Sequence, residues 1–196
     1  MKSTTMLVLL LLLTLSSQPL LGSAKPSLEQ VLDISGKKLR LDADYYIIPA
    51  NGGYIDVVNT DETCPFHVVI VKHSQGLPLR IAPVKGVIRV STDLNIMLAN
   101  GDNRCPNRSV VWKIDPFSKE ETFLTTGGIL GHPGSNSIHS WFKIEKYDDA
   151  YKLVYCPNVC PSCKHVCKDV GYYRYKNMEM RLALTNVPFK VKFQEA

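Results

Sequence analysis

The sequence predicts an all-β domain. Three observations carry this: short apolar runs recur from residue 45 to residue 193, turn-forming residues separate them, and none is long enough for a core helix. Twelve runs qualify, at residues 45–48, 54–58, 67–71, 87–90, 95–98, 110–114, 122–125, 141–144, 151–155, 171–175, 181–184 and 189–193.

The punctuation falls where strands must reverse. Asn51-Gly52-Gly53 separates the first two runs, and Asn100-Gly101-Asp102 follows the fifth. Gly127-Gly128 follows the seventh, and Asp148-Asp149 lies between the eighth and ninth. Each offers residues that tolerate positive φ or close an Asx turn. The last run, Phe189-Lys190-Val191-Lys192-Phe193, alternates with a period of two, so one face is buried and the other wet, as in antiparallel sheets. A sandwich and a barrel-like closure both accommodate twelve such strands.

Residues 1–24 read as a secretory leader: Lys2, then an apolar run from Met6 to Leu15, then Gly22-Ser23-Ala24 before the expected cleavage. The run is about half the ~20 residues a membrane-crossing helix needs, so no membrane anchor is expected. The remaining residues 25–196 suffice for one domain. Without Lys2 their basic and acidic residues number 22 and 18, a net charge of +4. That is too mild, and too interrupted by Asp169 and Glu179, for a nucleic-acid partner.

Six cysteines, at 64, 105, 156, 160, 163 and 167, accompany the leader, and an even count in an exported chain argues for disulfides. Fifteen pairings are possible. The symmetric spacing from Cys156 through Cys160 and Cys163 to Cys167 suggests an outer bridge enclosing an inner one, which would leave Cys64 and Cys105 to each other.

Enzyme motifs are missing from the sequence. The histidines at 67, 73, 132, 139 and 165 lack zinc-ligand spacing, and no Gly-x-Ser-x-Gly elbow occurs. The glycine-rich stretch 127–134 lacks the ending of a phosphate loop, and Cys160-Pro161-Ser162-Cys163 has the flanking cysteines of a structural clip. Neither an enzyme, nor a metal site, nor a cofactor is expected.

Larger blocks point to a family. Val31-Leu32-Asp33-Ile34-Ser35-Gly36-Lys37-Lys38-Leu39 and Tyr45-Tyr46-Ile47-Ile48-Pro49 resemble the N-terminal signature of the plant Kunitz, soybean-trypsin-inhibitor-type, family. Glu62-Thr63-Cys64-Pro65, Ser140-Trp141-Phe142-Lys143-Ile144, Tyr151-Lys152-Leu153-Val154-Tyr155-Cys156-Pro157 and Arg181-Leu182-Ala183-Leu184 continue the resemblance in order. The stretch 156–163 and the ending Val187-Pro188-Phe189-Lys190-Val191 are similar to its miraculin-like branch.

The resemblance implies a β-trefoil, twelve antiparallel strands in three pseudo-repeats, with disulfides Cys64 to Cys105, Cys156 to Cys167 and Cys160 to Cys163. It implies inhibition of a trypsin-like serine endopeptidase by a substrate-like loop, Pro83-Val84-Lys85-Gly86-Val87, between a fourth strand and the one before it, with Lys85 entering the specificity pocket. Where inhibitory relatives brace that loop with an Asn, this chain has Leu41. Gly86, next to Lys85, adds backbone freedom, and Pro83 removes some. The alternatives are a non-inhibitory binding, storage or defence trefoil and an inhibitor of cysteine proteases. No seventh cysteine offers an intermolecular bridge, so a monomer is expected, secreted or vacuolar. Asn107-Arg108-Ser109 is an N-glycosylation sequon.

Overall fold

Every strand pairing in the computed structural model is antiparallel; it describes residues 28–58, 66–72, 74–100, 105, 107–116 and 121–196. The strands are β1 (Tyr45–Pro49), β2 (Tyr54–Val58), β3 (His67–Val71), β4 (Leu79–Pro83), β5 (Leu94–Leu98) and β6 (Lys113–Ile114). They continue as β7 (Leu124–Thr125), β8 (Lys143–Tyr147), β9 (Ala150–Tyr155), β10 (Lys168–Arg174), β11 (Met180–Thr185) and β12 (Val191–Glu195).

The pairings resolve into two rings. One is a six-stranded barrel: β4 pairs with β1 and β5, β12 with β1 and β9, and β8 with β9. The gap between β5 and β8 is closed by the bridge of Leu94 to Phe142, where each backbone N–H donates to the other's carbonyl at 2.9 Å. The other ring consists of the hairpins β2–β3, β6–β7 and β10–β11. They meet through β3–β7, β3–β11 and a bridge from Phe123 to Ala183. A closed barrel capped by three hairpins, with four strands in each of three successive repeats, is a β-trefoil.

Period-two patterning explains the barrel. Tyr45, Ile47, Leu79, Ile81, Leu94, Ile96, Phe142, Ile144, Leu153, Val191 and Phe193 are all buried, contributed by alternate positions of its strands. Each such side chain contributes about 1.5–3 kcal/mol on leaving water. Turn residues behave as expected at two chain reversals. Gly53 adopts φ 94°, and a Cβ there would lie 2.7 Å from the Val71 carbonyl oxygen. Asp148, at φ 51°, turns β8 into β9.

Eleven of the twelve expected strands coincide with observed ones, although β6 and β7 shrink to two residues each. The fourth does not: the expected run at 87–90 makes only an isolated bridge, Gln30 to Arg89, and the strand is Leu79–Pro83. Leu79 and Ile81 face the barrel in register with Leu98 and Ile96, whereas Ile88 and Val90 are buried beneath the N-terminal segment through bonds to Val31 and Glu29. Both stretches are apolar, but only the earlier one has a strand to pair with. The 3-10 turns Ser135–Ser140 and Lys176–Met178 were also unforeseen.

The strap after β9 carries two disulfides, Cys156 to Cys167 and Cys160 to Cys163. Cys105 is disulfide-bonded and buried, and its implied partner Cys64 lies outside the described residues, as does His73.

Gly171 tests how closely β10 packs on the turn beyond β11. A Cβ there would lie 2.4 Å from the Val187 carbonyl oxygen and 2.3 Å from Thr185 Oγ1. Gly171→Ala is expected to cost about 1–3 kcal/mol, seen as a fall of the thermal midpoint by roughly 2–10 °C.

Candidate functional site

The loop after β4 starts one residue later than its sequence blocks imply, because Ile81, Ala82 and Pro83 are still paired with Ile96, Asn95 and Leu94. What projects is Val84, Lys85 and Gly86, all exposed, with Val87 half-buried on the return. Ile81 and Ile88, each 1% exposed, root the two ends in the core.

Two backbone bonds shape the projection. The Val84 N–H donates to the Asp93 carbonyl at 2.9 Å, and the Val87 N–H donates to the Lys85 carbonyl, which closes a tight turn centred on Gly86. On the return, the Val31 N–H donates to the Ile88 carbonyl, the Val90 N–H to the Glu29 carbonyl, and Arg89 Nη1 to the Leu28 carbonyl. The N-terminal segment therefore straps the C-terminal side of the loop. Leu41 is exposed and contributes no polar group. The anchoring acceptor for Val84 is main chain, from Asp93, which no side-chain motif announces.

Asp93 is itself fixed. Both carboxylate oxygens accept from the Asn158 N–H at 3.1 Å, and buried Lys143 places its Nζ 4.0 Å from Oδ1. Burial pushes the Asp93 carboxyl above its ordinary 3.8, against the opposing pull of the Asn158 N–H, Lys143 and His165. Asn158 belongs to the disulfide strap, two residues past Cys156. The strap, the Asp93 carboxylate and the loop thus form one connected chain of contacts.

Other expected sites are placed as follows. Asn107 is exposed at φ 63°, in a turn where the Arg108 N–H donates to the Cys105 carbonyl. Donor atoms of Cys156, His165 and Cys167 lie within 4.8 Å of one another, but the two sulfurs are bonded together and offer no thiolate to a cation.

The fold and this loop define a class: a family model described as trypsin and protease inhibitor, of the legume Kunitz type, matches residues 31–195. The chain belongs to this Kunitz family, whose members are protease inhibitors and related binding proteins rather than enzymes. It is 40% identical to miraculin of Synsepalum dulcificum, across 100% of this chain and 98% of the relative. Kunitz trypsin inhibitor 5 of Arabidopsis thaliana is 36% identical, with 89% of each chain covered. A solved Kunitz-type cysteine protease inhibitor from potato superposes with a TM-score of 0.74 at 35% identity, covering 87% of this chain and 98% of that one.

Two outcomes test the loop's anatomy. Gly86 lacks a positive φ, and a Cβ there would meet nothing within 4 Å. Gly86→Ala is therefore expected to stabilise the protein by about 0.4–1 kcal/mol through the unfolded chain, read by denaturant titration. A raised Asp93 pKa means that the folded state holds its proton longer than the unfolded chain does. The Asp93 contribution to stability is full below pH 3.8 and is lost as pH rises through the folded value. Relative to Asp93→Asn, the wild-type thermal midpoint should fall across that window and run parallel above it.

Proposed function

We propose that this protein inhibits trypsin-like serine endopeptidases, offering residues 83–87 to the active-site cleft as a substrate would, with Lys85 in the primary pocket. The carrying observation is that Lys85 stands exposed on a projection whose two ends are rooted by Ile81 and Ile88. A long cationic side chain matches a pocket carrying a carboxylate.

Affinity comes from what need not be ordered on binding. An interface of ordinary size becomes tight when its loop already holds the bound shape, because the entropy of ordering is spent in folding. If the nucleophile cuts after Lys85, both new ends stay tied: Val84 to Asp93 and the Ile88–Val90 stretch to the N-terminal segment. The cut ends then remain side by side in the cleft, poised to rejoin. Entry into the secretory route through residues 1–24, a monomeric state, a Cys64 to Cys105 bridge and a glycan on Asn107 complete the reading. Asn107 is exposed, as an acceptor must be.

A second reading is favoured by the potato relative, a Kunitz-type cysteine protease inhibitor: the same body also inhibits a cysteine endopeptidase.

Titration against trypsin tests the first reading. Lys85→Ala should weaken inhibition by about a hundredfold or more, ~2.7 kcal/mol, while Lys85→Arg retains it. Equal inhibition by wild type and Lys85→Ala would move the contact elsewhere, and no inhibition by wild type would favour a binding or storage role.

A further inference from the structure

A second loop is held more firmly than the one bearing Lys85. Between β7 and the 3-10 turn, residues 127–134 cross the outside of the barrel and leave Ile129 and Leu130 exposed at 43% and 45%. From Thr122 to Phe142 the chain has no Asp, Glu, Lys or Arg, so this apolar pair stands in an uncharged stretch.

The backbone beneath them is fixed at nearly every step. The Gly127 N–H donates to the Ser109 carbonyl, the Gly128 N–H to the Val111 carbonyl and the Ile129 N–H to Ser140 Oγ, at 2.8–2.9 Å. Asn95, 1% exposed, completes the clamp: Oδ1 accepts from the Gly131 N–H at 2.8 Å, and Nδ2 donates to the Ser140 carbonyl at 2.7 Å. Ser137 Oγ donates to the His132 carbonyl and accepts from Trp141 Nε1. Gly128 lies so close to the Trp112 carbonyl that a Cβ would sit 2.6 Å from it. A buried Asn whose amide ties Gly131 of the loop to Ser140 of the 3-10 turn is a bracing device, and the part it holds still is the part bearing the apolar pair.

We propose that Ile129 and Leu130 form a second docking site, a wedge for the apolar cleft of a papain-type cysteine endopeptidase; this gives the cysteine-endopeptidase reading above its location and rests on it. The chemistry chooses the partner. No cation is present for a trypsin-like pocket. The backbone turns to φ 66° at Gly131 and 51° at His132, so an extended path does not continue on both sides of Leu130 as substrate-like binding to a serine protease requires. A rigid wedge that fills a cleft with apolar side chains, and presents no bond for cleavage, suits what remains. Its affinity comes from apolar burial by two anchors already in place.

Inhibition constants against papain, trypsin and chymotrypsin, for wild type, Ile129→Ser/Leu130→Ser and Lys85→Ala, test it. Papain inhibition should weaken about a hundredfold in the double variant, with an unchanged thermal midpoint and unchanged trypsin inhibition, and should survive Lys85→Ala. Papain inhibited equally by the double variant overturns the assignment and leaves the cysteine-endopeptidase reading standing. Papain not inhibited by wild type removes both. Chymotrypsin inhibition that depends on Ile129 and Leu130, in place of papain inhibition, overturns the choice of partner.

Discussion

Both exposed loops depend on three residues at the entry of β5. Leu94 closes the barrel through its paired bonds to Phe142. The residue before it, Asp93, gives its carbonyl to Val84 and its carboxylate to Asn158, and the residue after it, Asn95, clamps residues 127–134 through Gly131 and Ser140. Barrel closure, the Lys85 projection and the Ile129–Leu130 projection therefore share one anchor. An error in the position of Leu94 would pass to both loops.

This arrangement explains how a loop with a glycine beside its exposed lysine can still be held in shape. The stiffness is not local to residues 84–87. It is supplied by the barrel through Ile81 and Ile88, by the N-terminal segment through Glu29 and Val31, and by the strap through Asn158. The Cys156 to Cys167 disulfide encloses Asn158, so it limits the excursions of the chain that caps Asp93. The placement of a buried carboxylate with an upward-shifted pKa next to the loop follows from the same requirement. Its oxygens accept from the Asn158 main-chain N–H, and a lysine that is itself buried offsets part of the cost of burying the carboxylate.

Much of the fold was legible because barrel and cap strands carry a period-two signal whose inward residues are large and apolar, as in Tyr45-x-Ile47 and Val191-x-Phe193. The strand at Leu79–Pro83 was misplaced because Ile88 and Val90 are as apolar as Leu79 and Ile81, and local pattern cannot tell a paired strand from a buried anchor. For the site, the exposed Lys85 and the blocks around it were readable. The bracing was not. The Asp93 acceptor is a main-chain carbonyl that any residue would offer, and Asn95 sits within an apolar run where a lone polar side chain gives no sign of its partners 36 and 45 residues away. The glycine-rich stretch 127–134 was readable as a loop, but its grip on the barrel arises only once β5 and the 3-10 turn are brought together.

The central claim is that the Lys85 loop is held in place before any enzyme arrives, and amide hydrogen exchange at Val84 tests it most directly. A donor locked onto the Asp93 carbonyl should exchange at least about a thousandfold more slowly than in an unstructured chain, rising with the opening of the barrel. Exchange at the unstructured rate, with the β5 amides still protected, would contradict the account.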